Sequence, residues 1–146
     1  MSSTDAQAGH RILVAEDDPH ILRQIEFNLQ TGGYTVETAM TGAEALKKLM
    51  TSRPDLLITD IMMPEMDGYE TIREIRKRPQ LADVPLVAVT AKAMKGDRQK
   101  CLDAGASDYI AKPVDIDLML ALLRVWIARS RERSPAKLVA APVIGG

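Results

Sequence analysis

The stretch Asp55-Leu56-Leu57-Ile58-Thr59-Asp60 is a short apolar run that ends on a carboxylate. Three other runs share its form. Ile12-Leu13-Val14-Ala15 ends on Glu16-Asp17-Asp18, Leu86-Val87-Ala88-Val89 ends on Thr90, and Tyr109-Ile110-Ala111 ends on Lys112-Pro113. Apolar runs this short, separated by segments of helical period, read as strands buried on both faces of a parallel sheet. In an open parallel sheet the carboxyl ends of the strands share one rim, where ligands bind. Three acids, a hydroxyl and an amine therefore converge on one crevice.

The bulk properties fit one small domain. The chain has 146 residues, 46% of them hydrophobic, enough for a proper core. A net charge of -1 gives no bulk attraction to nucleic acid or to an anionic membrane. Cys101 is the single cysteine, so no internal disulfide forms, and its helical surroundings mark it as a small buried residue. No apolar run approaches a membrane span, and Met1 to Gly9 lacks a signal-peptide core. These features predict a cytoplasmic protein.

The order of elements predicts an α/β fold. Asp18-Pro19 is a helix entry, with Asp18 as cap and Pro19 in the first turn; Ile21, Leu22, Ile25, Phe27 and Leu29 then keep helical spacing until Gly32-Gly33. Tyr34 to Ala39 alternates as a strand. Thr41-Gly42-Ala43-Glu44 has the spacing of a capping box, followed by Ala45, Leu46, Leu49 and Met50 on one face. After the Asp55–Asp60 strand, a helix from about Tyr69 to Arg76 leads to the Pro85–Thr90 strand. A helix near Met94–Ala104 stops at Gly105, Tyr109–Lys112 forms a short strand, and Asp115 opens the last helix, which fades at Arg129–Arg133. The order βαβαβαβαβα implies a parallel sheet with helices on both faces. Residues 1–9 read as a disordered segment, 10–130 as the domain and 131–146 as a tail or linker.

At the rim, Asp60 is the candidate nucleophile, because a carboxylate can accept a phosphoryl group as an aspartyl-phosphate. A solvated aspartate at a strand end is the ordinary alternative, and Asp60 alone would not displace it. Glu16 and Asp17 do, since consecutive acids at a strand tip repel one another unless a cation relieves them. Mg2+ favours carboxylates and sits between protein acids and phosphate. Thr90 offers a hydroxyl to a phosphoryl oxygen. Lys112 offers an ammonium to Asp60, and Pro113 is a candidate for a cis bond that aims it.

These residues resemble the response-regulator receiver family of two-component signalling. The resemblance runs from roughly Arg11 to Arg129. It rests on Ile12 to Pro19, Leu57 to Gly68, Val89-Thr90-Ala91 and Ala104 to Pro113. It implies a flavodoxin-like (βα)5 fold, with strand order 2-1-3-4-5, similar to the chemotaxis regulators. It also implies that Asp60 takes a phosphoryl group from a histidine kinase or a histidine phosphotransfer protein. By the same resemblance Asp17 binds Mg2+ directly, Glu16 binds it through water, and the Met62 main-chain carbonyl is a further ligand. Glu16 stands where the family often has Asp. Thr90 and Tyr109 would be the switch pair. Such a chain is a signalling receiver that catalyses its own phosphorylation and slow dephosphorylation, not a turnover enzyme.

Two rivals rank behind. A phosphatase with an aspartate nucleophile commonly has a general acid two residues on, where this chain has Met62. A flavodoxin-like cofactor binder needs a phosphate loop after the first strand, where this chain has acids. The expected partners are the kinase or phosphotransfer protein and either a downstream effector or the chain's own hybrid kinase. On the last helix Ile116, Met119, Leu120, Leu123, Trp126 and Ile127 form the core arc, while Leu118, Leu122 and Val125 form a second apolar stripe. That stripe predicts a homodimer or partner surface, competing with burial under the Val139–Ile144 tail.

Overall fold

The computed structural model describes residues 9–61, 68–90 and 97–132. Five parallel strands form one sheet: β1 (Arg11–Ala15), β2 (Thr35–Ala39), β3 (Leu56–Asp60), β4 (Leu86–Thr90) and β5 (Asp108–Ala111). Their order is β2-β1-β3-β4-β5, the predicted one. The alternating helices are α1 (Pro19–Thr31), α2 (Gly42–Thr51), α3 (Gly68–Lys77), α4 (Asp97–Ala104) and α5 (Ile116–Glu132), with a 3-10 turn at Pro79–Leu81.

Strand alternation divides the core in two. Leu13, Ala15, Leu57 and Ala88 face α2, α3 and α4, where they meet Leu49, Ile72, Ile75 and Cys101. Ile12, Val14, Ile58, Val87 and Val89 face α1 and α5, where they meet Leu22, Ile25, Leu29, Met119, Leu123 and Ile127. The leucines, isoleucines, valines and Met119 among them each contribute about 1.5–3 kcal/mol by leaving water. β3 and β4 are buried at all five positions, which explains their unbroken apolar sequences.

Local signals set the helix starts. Asp18 Oδ1 accepts from the backbone N–H of His20 at 2.9 Å and of Ile21 at 3.4 Å, so this acid is a cap. Thr41 Oγ1 accepts from Glu44 N at 3.0 Å, and the Glu44 carboxylate accepts from Met40 N at 2.9 Å. Asp115 Oδ1 accepts from Leu118 N at 3.1 Å at the start of α5. α3 begins against Ile61: a Cβ on Gly68 would lie 2.4 Å from the Ile61 Cα. Gly105 ends α4 with φ +124, a conformation that favours glycine.

Two apolar assignments do not hold. Phe27 is 66% exposed, because it lies 200° around α1 from buried Ile25. Met50 is 46% exposed at the last turn of α2, beyond the edge of the sheet-facing stripe. The core arc of α5 does hold, with Met119, Leu123 and Ile127 buried and Ile116, Leu120 and Trp126 half-buried beside them. Leu122 packs on that same core, whereas Leu118 and Val125 are exposed. The Val139–Ile144 tail and Met94–Gly96 lie outside the described residues. Among the described residues, no helix is long and apolar enough to cross a membrane.

Candidate functional site

The rim is built by backbone bonds that continue past the strand ends. Glu16 N donates to Ala39 O at 2.9 Å, Ile61 N to Val89 O at 3.0 Å, and Lys112 N to Thr90 O at 2.7 Å. These bonds hold the residues after β1, β3 and β5 in register with their neighbours, so the side chains at the tips are placed by the sheet rather than by loops. The Lys112–Pro113 peptide bond is cis, as the sequence suggested.

Glu16, Asp60 and Thr90 are buried, with 1–2% of each exposed, and Asp17 is half-buried. One carboxylate oxygen from each of Glu16, Asp17 and Asp60 lies within 4.8 Å of the others. Lys112 reaches into this group: its Nζ donates to Asp60 Oδ2 at 2.9 Å and stands 3.0 Å from Glu16 Oε1. The other Glu16 oxygen accepts from Asp18 N at 3.0 Å. Glu16 Oε1 is buried and has no well-angled hydrogen bond, so its contact with Lys112 is one of charge rather than of directed bonding.

Burial pushes the Glu16 carboxyl above its usual range, and the repulsion of Asp60 adds to it; the Asp18 N–H and the Lys112 ammonium oppose the rise without cancelling it. Burial acts on Lys112 in the opposite sense, but the carboxylates of Asp60 and Glu16 outweigh it and hold the ammonium above its ordinary value. The two shifts are unequal partners of one contact. Glu16 loses more from dehydration than the shared ammonium returns, because that ammonium also serves Asp60. Among the described residues, three acids with one lysine leave an excess of negative charge, and hard carboxylate oxygens in that arrangement suit a divalent cation such as Mg2+. Opposite ligands on an octahedral Mg2+ stand about 4.2 Å apart, close to the spread of this group.

The structure thus brings together Glu16, Asp17, Asp60 and Lys112, with Thr90 at the adjoining tip. Tyr109 is half-buried on β5 and packs against the α2–α4 side of the core. The Met62 carbonyl lies outside the described residues. Asp18, the third acid of the run after β1, caps α1 as the sequence predicts.

Sequence reasoning did not find the Glu16–Lys112 contact or the polar bracing at the opposite rim. There Arg76 donates to Gly105 O at 2.8 Å, to Leu81 O and Ala82 O at 3.1 Å and to Val84 O at 2.7 Å. Burial pulls this guanidinium below its ordinary value, with Asp83 opposing. Trp126 Nε1 donates to Asp108 Oδ2 at 3.1 Å, tying α5 to the start of β5. Arg76 stands among other charged residues, Glu74, Lys77 and Arg78, and Trp126 among apolar ones, and neither belongs to a motif that announces a partner.

A family model for the response regulator receiver domain matches residues 12–124. Response regulator MprA of Mycobacterium avium (strain 104) is 38% identical over 130 residues, which cover 89% of this chain and 56% of that protein. The chain thus spans about half the length of the curated relatives it matches. Among solved structures, the receiver domain of sensor histidine kinase PA1611 from Pseudomonas aeruginosa PAO1 is 39% identical with a TM-score of 0.77, covering 83% of this chain and 99% of that one. That structure has a magnesium ion coordinated in its active-site cleft. A receiver domain protein from Methanospirillum hungatei JF-1 is 30% identical with a TM-score of 0.79, covering 86% of this chain and 98% of that one. This chain belongs to the response-regulator receiver family. It is a signalling module of the two-component type, a family for which a phosphoacceptor role with a Mg2+ site is typical.

Proposed function

We propose that the chain accepts a phosphoryl group on Asp60 from the phosphohistidine of a histidine kinase or histidine phosphotransfer protein, and that its own residues catalyse the transfer with Mg2+. The observation that carries this reading is the buried Asp60 carboxylate at a strand tip, paired with Lys112 at 2.9 Å and grouped with Glu16 and Asp17. An Asp60 oxygen attacks phosphorus. The new P–O bond forms as the P–N bond to the donor imidazole breaks, and the imidazole leaves with the bonding pair and takes up a proton. Lys112 neutralises phosphoryl oxygen as the charge moves, and the Thr90 hydroxyl donates a hydrogen bond to another oxygen.

Asp17 and Asp60 would hold the metal directly, Glu16 through water, and the Met62 carbonyl would complete the protein's share. Bound there, Mg2+ supplies charge neutralisation between the acceptor and the incoming group. Slow attack by water on the acyl phosphate returns Asp60 to its resting state. Thr90 and Tyr109 form the switch, a local change of charge that biases a two-state element. Residues 10–130 form the receiver unit, flanked by segments 1–9 and 131–146. It works in the cytoplasm, where its donor is charged.

The output is a change in protein contacts, to a downstream effector or within a hybrid kinase. The exposed Leu118 and Val125, 48% and 46% exposed, support a homodimer surface along α5. Light scattering of a Leu118→Glu, Val125→Glu variant, with and without beryllofluoride, tests this; unchanged mass in both states overturns it. For the acceptor, acetyl phosphate with Mg2+ should label the wild type with one base-labile phosphoryl group per chain. Asp60→Asn should take none. Equal labelling of that variant would remove Asp60 from the role.

A further inference from the structure

β5 is the last strand of the sheet, with β4 as its neighbour. Lys112 N donates to Thr90 O at 2.7 Å, and backbone groups along a strand alternate sides, so Tyr109 turns its N–H to the open edge. The bond from Ser107 N to Leu86 O falls before the strand begins. An edge N–H without a strand beside it is taken up by water or by a side chain. Here a side chain takes it: Tyr109 N donates to Asp108 Oδ1 at 2.8 Å. The other oxygen of that carboxylate, Oδ2, accepts from the Trp126 indole at 3.1 Å. Alternation of side chains makes the reach possible. Ile110 packs in the core under α1 and α5, so Asp108 lies on that same side, whereas Tyr109 packs toward α2–α4. The indole is held in its turn, because its ring packs on the core and the Arg129 guanidinium lies 4.9 Å over it. One carboxylate thus joins the backbone of an edge strand to a ring fixed on a helix.

We infer that Trp126 is a positioning residue for Tyr109, acting through Asp108 in place of the strand that the open edge lacks. A half-buried aspartate with one partner turns about its Cα–Cβ bond and gives up an edge N–H to water. A second donor, supplied from α5, fixes the rotamer that keeps Oδ1 on Tyr109 N. The backbone at Tyr109 is then set as firmly as that of an inner strand. This deepens the switch reading and rests on it for one consequence. The Tyr109 ring turns about a fixed backbone, so the rearrangement is delivered to the α4 side of β5 while the α5 side stays in place.

The test is hydrogen exchange followed by NMR in full-length, 15N-labelled, metal-free protein. In the wild type the Tyr109 N–H and the Trp126 indole N–H are both protected. Trp126→Phe keeps a ring on the core and removes the donor. Exchange at Tyr109 N–H should then rise about tenfold, near the low end for a hydrogen bond to a charged group. The N–H groups of Ile110, which points to β4, and of Leu123, inside α5, should stay within about twofold of the wild type. Asp108→Ala should expose Tyr109 N–H and the indole N–H together, and adding Trp126→Phe to it should change Tyr109 no further. With Mg2+ and beryllofluoride, a phosphoryl mimic, the wild-type indole should keep its protection while the Tyr109 ring signals shift. Four results would overturn the inference: unchanged Tyr109 exchange in Trp126→Phe, a rise shared equally by Ile110 and Leu123, a protected indole in Asp108→Ala, or an indole laid open by beryllofluoride. If beryllofluoride moves no Tyr109 signal, the switch reading fails, and the metal-free exchange still decides whether Trp126 holds Tyr109.

Discussion

Replacing Lys112 by Met keeps most of the side-chain stem and removes the ammonium that touches Glu16 and Asp60, at 3.0 and 2.9 Å. At an effective dielectric of 20, each contact is worth about 5 kcal/mol of Coulomb attraction. The protein has a cheaper response than losing both. It can protonate one carboxyl, which at pH 7 and an ordinary glutamate value of 4.5 costs about 3.4 kcal/mol. That bound sets the expected loss of stability at about 3 kcal/mol without metal, in the range found when one partner of a buried pair is removed. At pH 5 the same protonation costs under about 1 kcal/mol, so the defect should nearly vanish.

The direction follows from both groups. Glu16 is raised, so its contribution is complete below 4.5 and is lost as pH rises through the raised value. Lys112 is also raised, so its contribution survives to above 10.5 and is lost only in stronger alkali. Urea unfolding in EDTA at pH 7 should show Lys112→Met shifted down by about 1.5 M for a slope near 2 kcal/mol/M. An equal midpoint at pH 7, or an equal loss at both pH values, would refute the charge argument.

Gly68→Ala should destabilise the fold by about 2 kcal/mol or more, because the new Cβ meets Ile61 backbone at 2.4 and 2.6 Å; a wild-type melting curve would contradict the close approach. Arg76→Leu should lose about 3 kcal/mol by leaving buried carbonyls without a donor, and hydrogen exchange should rise at Val84 and Ala106 first. Asp18→Ala should cost about 1 kcal/mol through the lost cap while leaving Mg2+ affinity unchanged, a joint outcome that separates capping from ligation.

The fold was legible because strands buried on both faces leave continuous apolar runs, and because a parallel sheet sends all their ends to one rim. Asp18, Thr41 and Asp115 were legible as caps, since capping is a matter of spacing along one segment. Phe27 was misplaced because an apolar residue at the wrong angle looks the same in composition as one at the right angle. The Glu16–Lys112 contact was hidden for a different reason. It depends on arm length across three strand spacings, and sequence shows that both acids and lysine reach the rim without showing which pairs touch. Arg76 was hidden too, as its partners are backbone carbonyls, which every residue carries.

The two rims of the sheet are held by cations of opposite temperament. At the carboxyl rim an ammonium sits among carboxylates, where protons or a metal ion can compete with it. At the other rim the Arg76 guanidinium sits among carbonyls of four residues, neutral acceptors that take up a proton or a cation far less readily than carboxylates do. Since one of those carbonyls belongs to Gly105, the trailing end of α4 is moored while its leading end points toward the responsive rim. Under the proposed switch, a displacement of α4 would then be a swing about its anchored end, an angular motion of a surface helix rather than a general loosening of the fold.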